Sequence, residues 1–417
     1  MTDTLIVNPF LTLRFGHEGV GNIFLTAPKP SEGLRALELS QSEHKNLYEV
    51  FTDLSQTGFN FLDAEKDLSE NERELLWRHG ILLERENAPE KPFFACQLTD
   101  VEAQESHFDP DSLFVNSSFR FEPLNLSNFS SWVHEKHLSP YQPSAWIRSP
   151  VTDLEVGYWL SADEADIVSK FIPGKKPQDL DDHKLVEKLV GAEILIAPEN
   201  LIKKVQIWKG RVSAAQKKFA VDKYATVSGI LPNAQMTAMR RFYRQYVKQG
   251  FMPLGDAQVS KRFHQGNEPL ASLLHKKLVD LVGAIVGEEV KPSYVYAASY
   301  KGGADLKPHL DREQCEFSIS FQVDYQPEQP DQMSPWALYV EPLADQANSQ
   351  GGGEFTPEWK YPEPNPDEQT AVYLASGDGL MYKGCELLHY RNALPAGHTS
   401  TSLFFHYVGI DFAGNLD

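Results

Sequence analysis

Two histidines and one aspartate in the C-terminal part of the chain have the types and spacing of a metal site. His309 and Asp311 are separated by one residue in the run LKPHLD, and His389 follows much later in the run GLMYKGCELLHYR. Side chains two apart on a strand face the same side of a sheet, so one imidazole and one carboxylate can reach the same ion. Two imidazoles and one carboxylate on one face of an octahedron leave three positions open. This arrangement suits a non-haem Fe(II) centre that binds a bidentate cosubstrate and oxygen.

The elements that must position these residues are short strands preceded by helices. Asn233 caps a predicted helix that runs to Val247, and a second predicted helix begins near Pro269 and stops at Gly287. From Ser293 onward, aromatic and β-branched runs alternate with turn residues, which predicts an antiparallel β sandwich or jelly roll. Helices before such strands suit a double-stranded β-helix core with supporting helices. The predicted strands are SYVYAASY, LKPHLD, CEFSISFQVDY, WALYVEP, TAVYLA, GLMYKG and TSLFFHYVG.

The run YKGGADLKPHLD resembles the prolyl 4-hydroxylase-like branch of the Fe(II)/2-oxoglutarate-dependent oxygenases, in which Tyr-x-x-Gly precedes His-x-Asp. Tyr300, Gly303, His309 and Asp311 match that spacing, and the run around His389 resembles the closing strands of the same family. The resemblance covers about residues 225–417. It implies Fe(II) as cofactor, 2-oxoglutarate as cosubstrate and hydroxylation of a C–H bond, with succinate and CO2 as products. The aspartate ligand implies hydroxylation, because related halogenases carry a small residue there.

The sequence departs from the family where a cation should bind the far carboxylate of 2-oxoglutarate. The family places Lys or Arg nine or ten residues after the distal histidine, and this chain has His398 and Thr399 there. Arg391 lies two residues after His389, on the same predicted strand face, and a guanidinium gives bidentate carboxylate recognition. We therefore predict that Arg391 binds 2-oxoglutarate, with hydrogen bonds from Tyr300 and His398. A surface ion pair is the alternative for Arg391, and Lys383 is a weaker candidate for the same role.

A pattern of helix starts and aliphatic runs occurs twice in the N-terminal half. Ser40 with Glu43, and Ser161 with Glu164, have the spacing of a capping box. Each copy ends in an aliphatic run, at residues 81–83 or 194–196. Helix, turn, helix and β-wing is the order of a winged-helix module. The predicted fold is α+β. Two small winged-helix-like α/β units, residues 1–98 and 149–212, are separated by a linker at 99–148 and followed by the oxygenase domain at 213–417.

The charge of the first unit argues against a role in binding DNA, although winged helices often have one. Residues 1–100 contain 17 acidic and 9 basic side chains, the reverse of the balance in a DNA-binding module. The element order also resembles the peptide-binding modules of enzymes that modify ribosomal peptides, in which an edge strand captures an extended segment. A purely structural or dimerising role is the other interpretation. The sequence therefore allows a peptide, a protein or a small molecule as the substrate.

Composition sets further limits. The formal net charge is −19, so nucleic-acid binding is not expected, and the basic cluster Arg240, Arg241, Arg244 and Lys248 is interpreted as a solvated helix face. Three widely spaced cysteines fit a reducing compartment. The sequence has no run long enough to span a bilayer and no secretory signal, so we expect a cytoplasmic protein without membrane contact.

Two competing functions remain open at this point. The oxygenase domain could be degenerate in a non-catalytic peptide-binding or regulatory protein, or the centre could belong to a cupin-type enzyme that uses no 2-oxoglutarate. Other candidate side chains are interpreted conservatively. We expect His264, His275 and His406 to be core or surface imidazoles. Trp336 and Tyr339 are expected to be core residues or to line the substrate entrance.

Overall fold

The computed structural model describes residues 5–8, 11–15, 22–29, 33–57, 64–84, 94–102, 108–123, 142–178, 180, 182–329, 333–342 and 363–416. The chain divides into two compact units. One comprises Met1–Phe94, Leu126–Pro140 and Phe242–Leu254, and the other comprises Ala95–Asn125, Tyr141–Arg241 and Gly255–Asp417. Within the described residues, no helix is long and apolar enough to cross a membrane.

The first unit contains an antiparallel sheet followed by helices. Its strands alternate between buried and exposed side chains, so Ile23, Leu25, Leu37 and Leu39 enter one core with Phe51. The sheet order is β2–β3–β4, and β1 pairs with β5. The elements are β1 (Leu5–Val7), β2 (Thr12–Phe15), β3 (Asn22–Lys29), β4 (Gly33–Ser40), α1 (Lys45–Thr57), α2 (Ala64–Asp67), α3 (Glu70–Arg78) and β5 (Leu82–Glu84).

The second unit begins with the same order of elements. A meander β7–β8–β9 is followed by helices, and a short last strand pairs with the first, β10 with β6. The capping box predicted at Ser161 and Glu164 is confirmed at the start of α4. In the other copy Ser40 accepts from the Glu43 N–H, but the helix begins only at Lys45. The elements are β6 (Phe114–Val115), β7 (Arg120–Glu122), β8 (Ser144–Arg148), β9 (Glu155–Trp159), α4 (Ala162–Val168), α5 (His183–Gly191) and β10 (Leu195–Ile196).

One buried asparagine contact is common to the two copies. The Asn8 side chain donates to the Gly80 carbonyl at 2.8 Å, and the Asn116 side chain donates to the Glu193 carbonyl at 3.0 Å. The backbone N–H of each asparagine donates to the carbonyl of the residue after that acceptor, at 2.7 and 2.9 Å. Gly80 and Glu193 both have positive φ, +68° and +58°. The same local solution at both sites supports an internal repeat.

The boundaries of the second copy differ from the prediction. Strands β6, β7 and β8 lie inside residues 99–148, which were predicted to be a linker, and residue 198 begins a long helix rather than continuing the unit to 212. Elements of the second copy therefore occur before residue 149, and the bounds 149–212 stay a prediction. These strands are two to five residues long, too short for an alternating pattern to stand out in a segment rich in Ser, Asn and Pro. The winged-helix assignment itself stays a prediction.

The remainder of the second unit contains two antiparallel sheets and their supporting helices, one of which, Asn233–Lys248, belongs to the first unit from Phe242 onward. The sheet orders are β11–β18–β15–β20–β13–β12 and β14–β19–β16–β17. Every strand predicted from residue 293 onward is confirmed, whereas the helix predicted from Pro269 to Gly287 is interrupted at Leu278. The elements are α6 (Pro198–Asp222), β11 (Tyr224–Val227), α7 (Asn233–Lys248), β12 (Arg262–Gly266), α8 (Pro269–Lys277), α9 (Val279–Val286), β13 (Val290–Lys301), β14 (Leu306–His309), β15 (Phe317–Gln326), β16 (Leu338–Pro342), β17 (Thr370–Val372), β18 (Gly379–Tyr382), β19 (Leu387–Arg391) and β20 (Thr399–Gly409).

Candidate metal centre

Adjacent strands of the four-stranded sheet bring the predicted triad together. His309 ends β14 and lies directly opposite His389 on β19, with ring centroids 4.2 Å apart. Asp311 follows β14 by two residues, and its Oδ1 is 3.7 Å from His309 Nε2 and 3.4 Å from His389 Nε2. One ligand atom from each of the three residues lies within 4.8 Å of the others. Neighbouring ligands about 2.1 Å from an octahedral ion are about 3 Å apart, so a small closure would complete a first-row metal site.

Backbone carbonyls fix the orientation of both imidazoles. His309 Nδ1 is 2.8 Å from the Lys307 carbonyl, and His389 Nδ1 is 3.0 Å from the Leu387 carbonyl. Because a carbonyl only accepts, each Nδ1 carries a hydrogen and each Nε2 is the ring atom directed at the centre. Burial, together with the neighbouring His389, lowers the pKa of His309 to about 3. His309 is therefore neutral at physiological pH, the state that binds metals.

Asp311 is held by its backbone and by a close glycine. Its N–H donates to the Gly384 carbonyl at 2.9 Å. A Cβ on Gly384 would lie 2.4 Å from Asp311 Oδ2, so only glycine leaves space for the carboxylate. Burial alone would raise the pKa of Asp311, but the adjacent His389 and its hydrogen bond lower it well below the usual range. The carboxylate is therefore ionised and able to bind a cation.

Arg391 is a buried cation that forms no ion pair with the described residues. It lies two residues after His389 on β19 and is 2% exposed. Its Nη1 donates to the Trp336 carbonyl at 2.7 Å, and its guanidinium carbon lies 4.5 Å from the centroid of the Trp336 ring. Among the described residues, no carboxylate is within ion-pair distance, and Nε has no hydrogen-bond partner. Burial lowers the pKa of Arg391 to about 10.

Tyr300 lies beside a second buried arginine, which sequence reasoning did not identify. The Tyr300 hydroxyl accepts from Arg262 Nη1 at 3.1 Å, and the Tyr300 ring lies against Trp336 with centroids 5.0 Å apart. Arg262 is neutralised by Asp256 at 2.6 Å. Tyr300 is therefore fully buried between the Arg262 ion pair and the Trp336 ring that covers Arg391.

The other predicted site residues have different partners. His398 Nδ1 is 2.7 Å from the Tyr325 hydroxyl, before β20 begins. Lys383 donates to Glu386 at 2.7 Å, so the structure gives it a surface ion pair. Trp336 is a buried residue that covers Arg391. These contacts favour Arg391 over Lys383, and Tyr300 over His398, as groups of the candidate site.

Two polar side chains near the triad were missed in the sequence. Ser318 Oγ lies 3.2 Å from Asp311 Oδ2 and 2.9 Å from His406 Nδ1, so His406 is more than a core imidazole. Ser320 follows on the same face of β15, and its fully buried hydroxyl has no partner among the described residues. No local motif marks these residues, because Ser318 and His406 meet only through the pairing of distant strands.

No family model and no curated protein matches the sequence. Similar solved structures include a prolyl-4-hydroxylase from Pseudomonas putida (18% identity, 47% of this chain, 97% of that chain, TM-score 0.35). Another is the α-ketoglutarate-dependent epimerase SnoN of nogalamycin biosynthesis (14%, 48%, 84%, 0.38). A third is a prolyl hydroxylase from Trichoplax adhaerens in complex with a hypoxia inducible factor peptide (10%, 49%, 92%, 0.37). These neighbours are 2-oxoglutarate/Fe(II) oxygenases, and the similarity covers about half of the chain.

Proposed function

We propose that this protein is an Fe(II)- and 2-oxoglutarate-dependent dioxygenase that hydroxylates an unactivated C–H bond. The observation that carries the proposal is the convergence of His309, Asp311 and His389, with the unpaired Arg391 on the same strand as His389. The two antiparallel sheets that hold these residues are the proposed double-stranded β-helix, or jelly roll.

The donor set fits Fe(II). Two imidazole Nε2 atoms and one carboxylate oxygen face a common point, and nitrogen and oxygen donors of this number leave three positions for other ligands. With iron and 2-oxoglutarate bound, the centre supplies an oxidant able to break a C–H bond, which no side chain can supply. The contribution of His309 and His389 is to hold their Nε2 atoms in place as ligands, and that of Asp311 is to provide negative charge.

The positive charge of Arg391 supports 2-oxoglutarate as the cosubstrate. 2-Oxoglutarate is a dianion, and its far carboxylate would be costly to bury without a partner. Arg391 offers a buried guanidinium whose Nε has no acceptor, and the Trp336 ring limits water access to it. Ion pairing would satisfy both groups at once. Tyr300, which lies against the same Trp336 ring as Arg391, is the proposed neighbour of that carboxylate.

The proposed substrate is a peptide or protein, with a small molecule as the alternative. The repeated meander-and-helix copies support a peptide, because an edge strand of a meander can pair with an extended segment. Asp311 occupies the ligand position that a halogenase leaves to halide, so hydroxylation is the proposed outcome.

Anaerobic titration tests the proposal directly. Addition of Fe(II) and then 2-oxoglutarate to the whole protein is expected to produce the visible metal-to-ligand charge-transfer band of a chelated keto acid. The His389→Ala variant is the matched control, and it should give no band because one ligand is lost. Iron binding without any response to 2-oxoglutarate would assign a cupin-type centre instead. Absence of both would favour a non-catalytic binding protein.

A further inference from the structure

The two carboxylate oxygens of Asp311 have different surroundings. Oδ1 is 3.4 Å from His389 Nε2 and 3.7 Å from His309 Nε2. Oδ2 is 3.2 Å from the Ser318 hydroxyl. One oxygen therefore faces the proposed metal position, while the other is bound by the protein.

The Ser318 hydroxyl connects Asp311 to a second buried histidine. Ser318 is fully buried and lies directly opposite His406 in the β15–β20 pair. Its Oγ is 2.9 Å from His406 Nδ1 and 3.3 Å from the Cys315 carbonyl. A hydroxyl has one hydrogen, and the ionised carboxylate is the strongest acceptor within reach. When that hydrogen goes to Asp311, the Ser318 oxygen is free to accept from the His406 N–H.

His406 is held where its ring can donate to Ser318. Its Nδ1 lies 2.9 Å from Ser318 Oγ. Its ring packs against Tyr294, with centroids 4.6 Å apart, and its backbone carbonyl is 2.7 Å from His275 Nε2. The contact with Tyr294 restricts rotation of the His406 ring, and the contact with His275 holds the backbone of His406 in place.

Gly384 closes the other side of the carboxylate. A Cβ there would lie 2.4 Å from Asp311 Oδ2 and 2.9 Å from Asp311 Cβ, so the chain approaches Oδ2 closely. Rotation of the carboxylate would break the Ser318 hydrogen bond, and movement of Oδ2 toward Gly384 would meet little free space. Oδ2 is restrained by packing as well as by hydrogen bonding.

We infer that His406 and Ser318 are positioning residues that keep Asp311 a one-oxygen metal ligand. This inference rests on the proposed function, because it takes Asp311 to be a ligand. The inference determines how many coordination positions of the ion remain open. If both oxygens of Asp311 bound the ion, one of the three positions needed by a bidentate cosubstrate and oxygen would be lost. Outer partners of this kind tune metal affinity by about 10- to 100-fold.

Metal binding without cosubstrate tests the inference. Mn(II) affinity and the visible spectrum of the Co(II)-loaded whole protein are compared for wild type, Ser318→Ala, His406→Leu and His406→Asn. Ser318→Ala and His406→Leu should bind about 10- to 100-fold more weakly and show a changed Co(II) spectrum. His406→Asn should retain most of the affinity, because its amide N–H can replace the imidazole donor. Ser320→Ala is the matched control: Ser320 is equally buried on the same strand face and has no partner in the described part of the chain, so both readouts should equal wild type.

The outcomes separate the two proposals. Wild-type affinity and spectrum in Ser318→Ala would overturn the positioning role and leave the proposed function intact. A wild-type protein that binds no divalent metal would overturn the proposed function itself. The Asp311, Cys315 and His406 side chains also cluster within 4.8 Å. A second metal equivalent that is lost in His406→Leu would make His406 a ligand and overturn the inference. Ser318→Thr keeps the hydroxyl and should bind normally, which separates the hydrogen bond from a folding defect.

Discussion

Arg262 on β12 and Arg391 on β19 are alike in burial and unlike in partners. They are 5% and 2% exposed, and each guanidinium lies against an aromatic ring. Arg262 lies 2.6 Å from Asp256 Oδ2 and also donates to the Tyr300 hydroxyl and the Gln258 side chain. Arg391 donates to one backbone carbonyl, and its Nε lacks an acceptor among the described residues.

The difference separates a charge with an ion-pair partner from one that has none among the described residues. Removing a charge from water is costly unless a partner of opposite charge is supplied. Asp256 supplies that partner for Arg262, and the Arg262 cation helps to lower the pKa of Asp256 against the effect of burial. Arg391 has no such compensation, and burial lowers its pKa to about 10. The described residues therefore leave the charge of Arg391 unbalanced, and the proposed 2-oxoglutarate carboxylate would balance it.

The largest expected effect is the loss of stability in Arg262→Met. The substitution leaves the Asp256 carboxylate largely buried without its cation, which costs about 3–5 kcal/mol when one partner of a buried pair is removed. Urea unfolding of the metal-free protein measures the change. Arg391→Met is the matched control, since it replaces a buried cation that has no anion. Its stability should equal or exceed that of wild type. Equal losses in both variants would show that Arg391 has a structural partner as well.

For cosubstrate binding we expect the opposite order, with a larger effect of Arg391→Met than of Arg262→Met. The apparent KM for 2-oxoglutarate is expected to rise about 100-fold, which corresponds to about 2.7 kcal/mol, because a buried carboxylate loses its ion pair. Mn(II) affinity should stay at the wild-type value, since Arg391 is not one of the three converging ligands. Arg391→Lys should be intermediate, as it keeps the charge but not the planar pair of donors. An unchanged KM in Arg391→Met would move the carboxylate site to another residue.

The two arginines also show which parts of the site could be predicted from the sequence. His309, Asp311 and His389 were identified because H-x-D spacing on a strand places two ligands together and the third lies on a recognisable later strand. Arg391 was identified because it is the nearest permanent cation to that set. The Asp256–Arg262 pair was not identified, because its residues form an ordinary surface-like sequence whose burial depends on the strands packed around it.

Contacts between distant strands were equally hidden. Ser318 and His406 are 88 positions apart, and they come into contact because they lie opposite each other in the paired strands β15 and β20. In the N-terminal half, the helix start at Ser161 was predicted, but the strands at residues 114–148 were not. A usable signal was present: Val7-Asn8 and Val115-Asn116 precede the two buried asparagine contacts in corresponding positions. A shared dipeptide is too short to indicate a repeat by itself, and it does so only together with the two contacts.

The smallest expected effect is on the stability of the protein at acidic pH. Burial would raise the pKa of Asp256, but the Arg262 cation and hydrogen bonds from Tyr296 and the Val259 N–H hold it below the ordinary value of 3.8. Because the folded-state pKa is the lower one, the unfolded chain binds more protons in this range. The stability that the carboxylate contributes is therefore complete above pH 3.8 and is lost as pH falls toward the folded-state pKa.

The stability gap between wild type and Asp256→Asn should therefore narrow in acid. At neutral pH the variant lacks the anion that neutralises Arg262, whereas at low pH the protonated wild-type side chain resembles the amide. Urea unfolding from about pH 5 to about pH 3 measures the gap, which should close by at most about 1.4 kcal/mol per pH unit. The corresponding gap for Arg391→Met should stay constant over this range, because no carboxylate among the described residues pairs with Arg391. A gap for Arg391→Met that also closed in acid would reveal an anionic partner and remove the distinction between the two arginines.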